Sequence, residues 1–158
     1  MAQRYSMSHD VAVDILETAD IGGTNASTSW VSMKGFDGVY AKVILGTWNA
    51  TDDLDECRLE QATDASGTGA KDLTTDASGG NYDTDNPIDA DGNTVVLEAN
   101  AEDMDVANGF THVRLYVAEG GNTGTDNVTG LLIRHTAHNK RAQLEAAGVP
   151  SSSIDDVP

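Results

Sequence analysis

The sequence predicts a single-domain, mainly antiparallel β protein, a sandwich or jelly-roll-like barrel with a short C-terminal helix. Three observations predict it: apolar and polar residues alternate at period two, Gly/Asn/Asp/Ser/Thr clusters separate the alternating runs, and 158 residues suit one core. The clearest run is "GFTHVRLYVAE", where Thr111, Val113, Leu115 and Val117 share one face and His112, Arg114, Tyr116 and Ala118 the other. In "DGVYAKVILGTW", Val39, Ala41, Val43 and Leu45 lie on one face, with Tyr40, Lys42, Ile44 and Trp48 opposite. Apolar bulk on both faces predicts a central strand.

Further strands are expected in "STSWVSM" around Trp30, "ECRLEQA" around Leu59, "NTVVLEA" around Val96 and "NVTGLLIRHT" around Leu132. "VAVDILETAD" reads as the first strand in preference to a helical turn. Good helix formers in "TAHNKRAQLEAAGV", stopped by Gly148 and Pro150, predict the C-terminal helix. The chain thus divides into an N-terminal arm (1–10), a β domain (11–136) and a C-terminal helix and tail (137–158). Neither end has a pattern that anchors it, so both are expected to order against a neighbour.

Composition narrows the function. A hydrophobic share of 39% with 5% aromatics predicts a thin core and a large loop fraction. Nine basic residues against 26 acidic ones leave a net charge of −17, which repels nucleic acid and anionic membranes, so neither is expected as a partner. The opening "MAQRYSMSHD" has no apolar leader-like stretch, and no apolar run approaches the roughly 18 residues of a membrane span, so synthesis in the cytoplasm is expected. The single cysteine, Cys57, cannot form an internal disulfide. Its alternating surroundings, "DECRLEQAT", predict a buried strand residue and not a nucleophile, which needs basic neighbours.

Motifs for chemistry fail one by one. The five residues Thr-Asp-Ala-Ser-Gly occur twice, at 63–67 and 75–79, the first copy running into Lys71. A phosphate-binding loop needs Gly-Lys followed by a hydroxyl residue, whereas Ala70 precedes Lys71 and Asp72 follows it. Turns are expected instead, with Asp and Ser bonding their own backbone and Gly taking positive φ. Aligned on Gly92, Asp89, Asp91 and Glu98 match a calcium loop, but Pro87 takes the first ligand position and flanking helices are lacking. A solvated acidic hairpin loop is therefore expected around Asp83, Asp85, Asp89 and Asp91, with no metal assigned. His135 and His138 lack a third ligand spaced nearby, and His9 and His112 stand apart. No nucleophile elbow is present, and no serine or cysteine is placed with a histidine and an acid. No catalytic residue and no cofactor is expected.

Two stretches carry a resemblance. "QATDASGTGAK", Gln61 to Lys71, and "DVANGFTHVR", Asp105 to Arg114, preceded by "WVSMKGFDGVYAKVILGTW", resemble a pattern in small structural proteins of tailed bacteriophages. The resemblance covers about two thirds of the chain and rests on turn and strand residues. It implies a virion component on the outer capsid surface, a decoration or cement protein that binds the major capsid protein. Such proteins are non-enzymatic, β-rich homo-oligomers, most often trimers and in some cases dimers.

Basic residues gather near the C-terminus in a chain otherwise short of them. Arg134, Lys140 and Arg141, with Arg4 and Tyr5 of the arm, are therefore the expected partner contacts. The strands "GFTHVRLYVAE" and that leading to Trp48 are expected in the core or an oligomer interface. Two alternatives remain. One is a phage tail subunit (tube, completion or fibre-associated), with residues 76–94 as its long loop. The other is a calcium-dependent carbohydrate-binding module using the Asp83 to Asp91 loop with an exposed Trp30 or Trp48.

Overall fold

The structure, a computed structural model, describes residues 10–49, 52–74, 88–119 and 124–135. Period two builds nine strands in them: β1 (Asp10–Asp20), β2 (Asn25–Ser27), β3 (Val31–Ser32), β4 (Gly38–Leu45), β5 (Glu56–Ala62), β6 (Lys71–Asp72), β7 (Thr94–Asn100), β8 (His112–Ala118) and β9 (Asn127–His135). Two 3₁₀ turns, η1 (Ala101–Asp103) and η2 (Val106–Asn108), link β7 to β8.

The strands form two antiparallel sheets packed as a sandwich. Sheet A has the order β1-β9-β4-β7, and sheet B runs β2-β8-β5-β6 with β3 also paired to β8. β4, apolar on both faces, is central as its pattern predicts, paired to β9 on one side and β7 on the other. β8 is likewise central, paired to β5 and to β2 and β3. The expected C-terminal helix lies outside the described residues, as do residues 1–9 of the arm and the second Thr-Asp-Ala-Ser-Gly copy, while Asp10, the arm's last residue, begins β1.

Inward residues close the sheets on each other. Val39, Ala41, Val43 and Leu45 of β4 and Val128 and Leu132 of β9 face Cys57 and Leu59 of β5 and Val113, Leu115 and Val117 of β8, all buried. Cys57 thus occupies the core position its alternation predicts. Trp48 departs from expectation. It lies beyond the end of β4, only 6% exposed, its indole N–H donating to the Asp52 carbonyl at 2.7 Å and its backbone N–H to Asp91 Oδ1 at 2.7 Å. It caps the core and does not continue the outer face of the strand.

The two sheets are in tight contact at Gly130. A Cβ there would stand 2.8 Å from Leu115 Cδ2 and 3.3 Å from Leu16 Cβ, so a side chain at this one position of β9 would crowd its neighbours. Gly130→Val is expected to lower the unfolding free energy by roughly 1–3 kcal/mol through overpacking. Urea denaturation reads this as a lower midpoint, and an unchanged midpoint would contradict the tight contact.

Candidate functional site

The two outer faces of the sandwich differ in chemistry. On sheet B, outward residues neutralise one another. Arg58 of β5 lies 2.6 Å from Glu56, 3.1 Å from Glu60 and 2.9 Å from Asp72, with its guanidinium 4.5 Å from the Tyr116 ring. Arg114 of β8 reaches Glu60 at 2.7 Å and stacks over Trp30 at 4.5 Å. Burial opposes the charge on Arg58, but Glu56, Asp72 and Glu60 outweigh it and hold the guanidinium charged more firmly than usual. This lattice satisfies itself, and Arg114 already lies against the Trp30 ring.

Sheet A is the reverse. Register places Ile15 opposite Leu131, Leu131 opposite Lys42, and Lys42 opposite Val96, so one outward row crosses all four strands. The neighbouring row is Val13, Ile133, Tyr40 and Glu98, and Ile44 lies in the next. Val13 (53%), Ile15 (60%), Ile44 (42%), Val96 (40%) and Leu131 (37%) are all exposed. Lys42 and Glu98 are the charges within these rows. An apolar sheet face broken only by Lys42 and Glu98, on a protein of charge −17, is a candidate interaction surface. It is the strongest candidate site among the described residues.

Of the expected partner contacts, Arg4, Tyr5, Lys140 and Arg141 lie outside the described residues. Arg134 is described, on the inward side of β9 at the end of the sandwich. Its Nη1 donates to the Ser32 carbonyl of β3 at 2.5 Å, its Nη2 lies 3.6 Å from Asp14, and it covers the Phe36 ring at 4.7 Å. Burial lowers its pKa, and the Asp14 charge opposes that. The guanidinium therefore ties sheet A to sheet B.

The two stretches that carry the phage resemblance meet at the end of the sandwich where β5 leads into β6. Gln61 Oε1 accepts the Asp105 N–H at 2.9 Å, Lys71 Nζ lies 2.5 Å from Asp105 Oδ2 and over the Phe110 ring, and Thr111 Oγ1 donates to the Thr63 carbonyl at 3.1 Å. Lys71 is thus engaged with a carboxylate. In the first Thr-Asp-Ala-Ser-Gly loop, Asp64 Oδ1 accepts the N–H groups of Ser66 and Thr68, and Gly67 and Gly69 take φ of 81° and 69°. The expected turn chemistry holds for Asp64 and the glycines. Beside it, Ser32, Met33, Ala101, Met104, Val106 and Phe110 line an apolar cavity of about 330 Å³.

The calcium-loop residues do not converge. Asp91 is engaged with the Trp48 backbone, Asn93 Oδ1 accepts the Asp89 and Ala90 N–H groups, and Glu98 stands on the outer face of sheet A. Asp83 and Asp85 lie outside the described residues. Buried Trp48 also cannot serve as the exposed aromatic of a sugar site. Among the described residues, no helix is long and apolar enough to cross a membrane.

No protein-family model matches the chain. No curated protein sequence matches it either. Among solved structures, it is similar to the CBM22-1–GH10 modules of endo-1,4-β-D-xylanase 10B from Clostridium thermocellum, solved with xylohexaose. Identity is 9% and the TM-score 0.40, over 85% of this chain and 28% of that one. The chain therefore spans less than a third of that structure's length.

Asp64 and Asp105 stand at the end where the two resembling stretches meet. Thr68, with Ser66, holds the Asp64 carboxyl below its ordinary value, and Lys71, with Asn108, does the same for Asp105. Groups depressed in the folded state contribute stability above the unfolded value, roughly pH 4, and lose it as pH falls through the folded value. The double variant Asp64→Asn/Asp105→Asn is expected to show a shallower fall in stability below about pH 4. Thermal unfolding across pH 2–6 checks this, and an acid limb of unchanged slope would contradict it.

Proposed function

We propose that this chain is a non-enzymatic decoration protein of a tailed-phage capsid, docking on the outer shell and stabilising it. The observation that carries the reading is the apolar outer face of sheet A, set against a sheet B whose charges are already paired. A face built from Val13, Ile15, Leu131, Ile44 and Val96 gains free energy by being covered, at roughly 25 cal/mol per Å² of apolar surface removed from water. The cover is the major capsid protein or a second copy in a homo-oligomer, trimers being favoured by the resemblance of Gln61 to Lys71 and Asp105 to Arg114. Many copies on a symmetric lattice add such contacts by multivalency, raising the work needed to separate capsomers. Arg4, Tyr5, Lys140 and Arg141 remain the proposed supplementary contacts, consistent with segments that order on binding.

Ile15→Lys tests the reading. Ile15 is 60% exposed on an edge strand of sheet A, so the substitution is expected to change stability by no more than about 0.5 kcal/mol. Co-sedimentation with empty, undecorated shells should fall at least tenfold against wild type. Undiminished binding by a folded Ile15→Lys protein, or no binding by wild type, would overturn the proposal.

A further inference from the structure

We infer that the apolar cavity bordered by β3, η1 and η2 binds a small amphiphilic carboxylate, a short alkyl chain ending in one negative charge. Its floor is Met33, Met104 and Phe110, all buried, and its rim carries exposed Lys34 and Val106, the latter 60% exposed. At about 330 Å³ the cavity lies at the small end of ligand-sized pockets, which suits a short chain and not a full lipid tail.

The lining decides the chemistry of the guest. Both described methionines belong to it, and methionine, unbranched and polarisable, adapts its shape to apolar guests. The polar atoms around them are already engaged. Ser32 Oγ accepts the Lys34 backbone N–H at 3.2 Å, the Ser32 carbonyl accepts from Arg134, and Thr111 Oγ1 donates to the Thr63 carbonyl. A guest is therefore offered apolar contact and one unspent charge, the Lys34 ammonium, which has no ion pair among the described residues.

That charge is positive in a chain of net charge −17. Of the three described lysines two stand here, Lys34 in the lining and Lys71 with its Nζ 4.2 Å from the centre of the Phe110 ring. The acids of the linking turns do not cancel Lys34. Asp105 is paired with Lys71, Asp103 accepts the Asn100 N–H at 2.8 Å, and exposed Glu102 does not line the cavity. An ammonium beside buried apolar surface selects an anionic head over a cationic one. The inference is independent of the shell-docking reading, because the outer face of sheet A contributes no residue to the cavity.

NMR of the methionine methyl groups in the full-length protein tests it, with octanoate as the probe, kept below its micelle-forming concentration. The Met33 and Met104 signals, assigned through Met33→Leu and Met104→Leu, should shift saturably. Octylamine, with the same chain and the opposite charge, should bind about fivefold more weakly. Lys34 is exposed and lies outside any strand, so Lys34→Glu should fold normally, weaken octanoate about fivefold and erase its advantage over octylamine. Signals of Met33 and Met104 unmoved by millimolar octanoate would overturn the inference. Equal affinity for octylamine, or undiminished octanoate binding by folded Lys34→Glu, would do the same.

Discussion

Leu115 of β8 sits against the bare backbone of Gly130 in β9, and the rest of the structure depends on that closeness. The core is made of medium-sized aliphatics, Val43, Leu45, Leu59, Val113 and Leu132 among them, with few aromatics to bridge a wider gap. Sheets of such residues exclude water only if they interdigitate at full packing density, and a missing side chain at Gly130 lets one sheet settle on the other. Trp48 and Phe36 then close opposite ends of the sandwich. A modest hydrophobic share is enough because loop side chains satisfy loop backbone, as Asp64, Asp91 and Asn93 do.

With the inner faces committed to each other, the outer faces are left to deal with water, and they do so differently. Glu60 is nearly buried on the outer side of sheet B because Arg58 and Arg114 close over it, and Tyr116 and Trp30 lie against their guanidiniums. The rows through Ile15, Leu131 and Val96 make no comparable arrangement. The asymmetry links packing to the proposed role, since a shell-binding protein needs one face that prefers cover and another that tolerates solvent.

Most of the strands were legible because a half-buried strand writes its burial into every second residue. β5, β7, β8 and β9 lie where alternation predicts them, and the apolar bulk on both sides of Val39 to Leu45 correctly marks a central strand. Trp48 escapes strand parity because the chain leaves the sheet at Gly46 and Thr47 and turns the indole inward. Composition marks Arg134 as spare positive charge, whereas strand parity with Leu132 puts it on the inward side, where it joins Ser32 and Asp14. The apolar face depends on register between strands far apart in sequence, and alternation alone cannot give register. Gln61 and Lys71, by contrast, lie in one short stretch, and both bond Asp105 to hold one corner of the sandwich together.

The central claim is that this sandwich lies on a shell with the outer face of sheet A turned toward it. Cryo-electron microscopy of intact particles tests that claim most directly. The account predicts density for the sandwich on the head capsomers, with Ile15, Leu131 and Val96 against the capsid protein or a neighbouring copy and the Arg58–Glu60–Arg114 face toward solvent. Density confined to the tail, or a sandwich seated on the shell by its charged face, would contradict it.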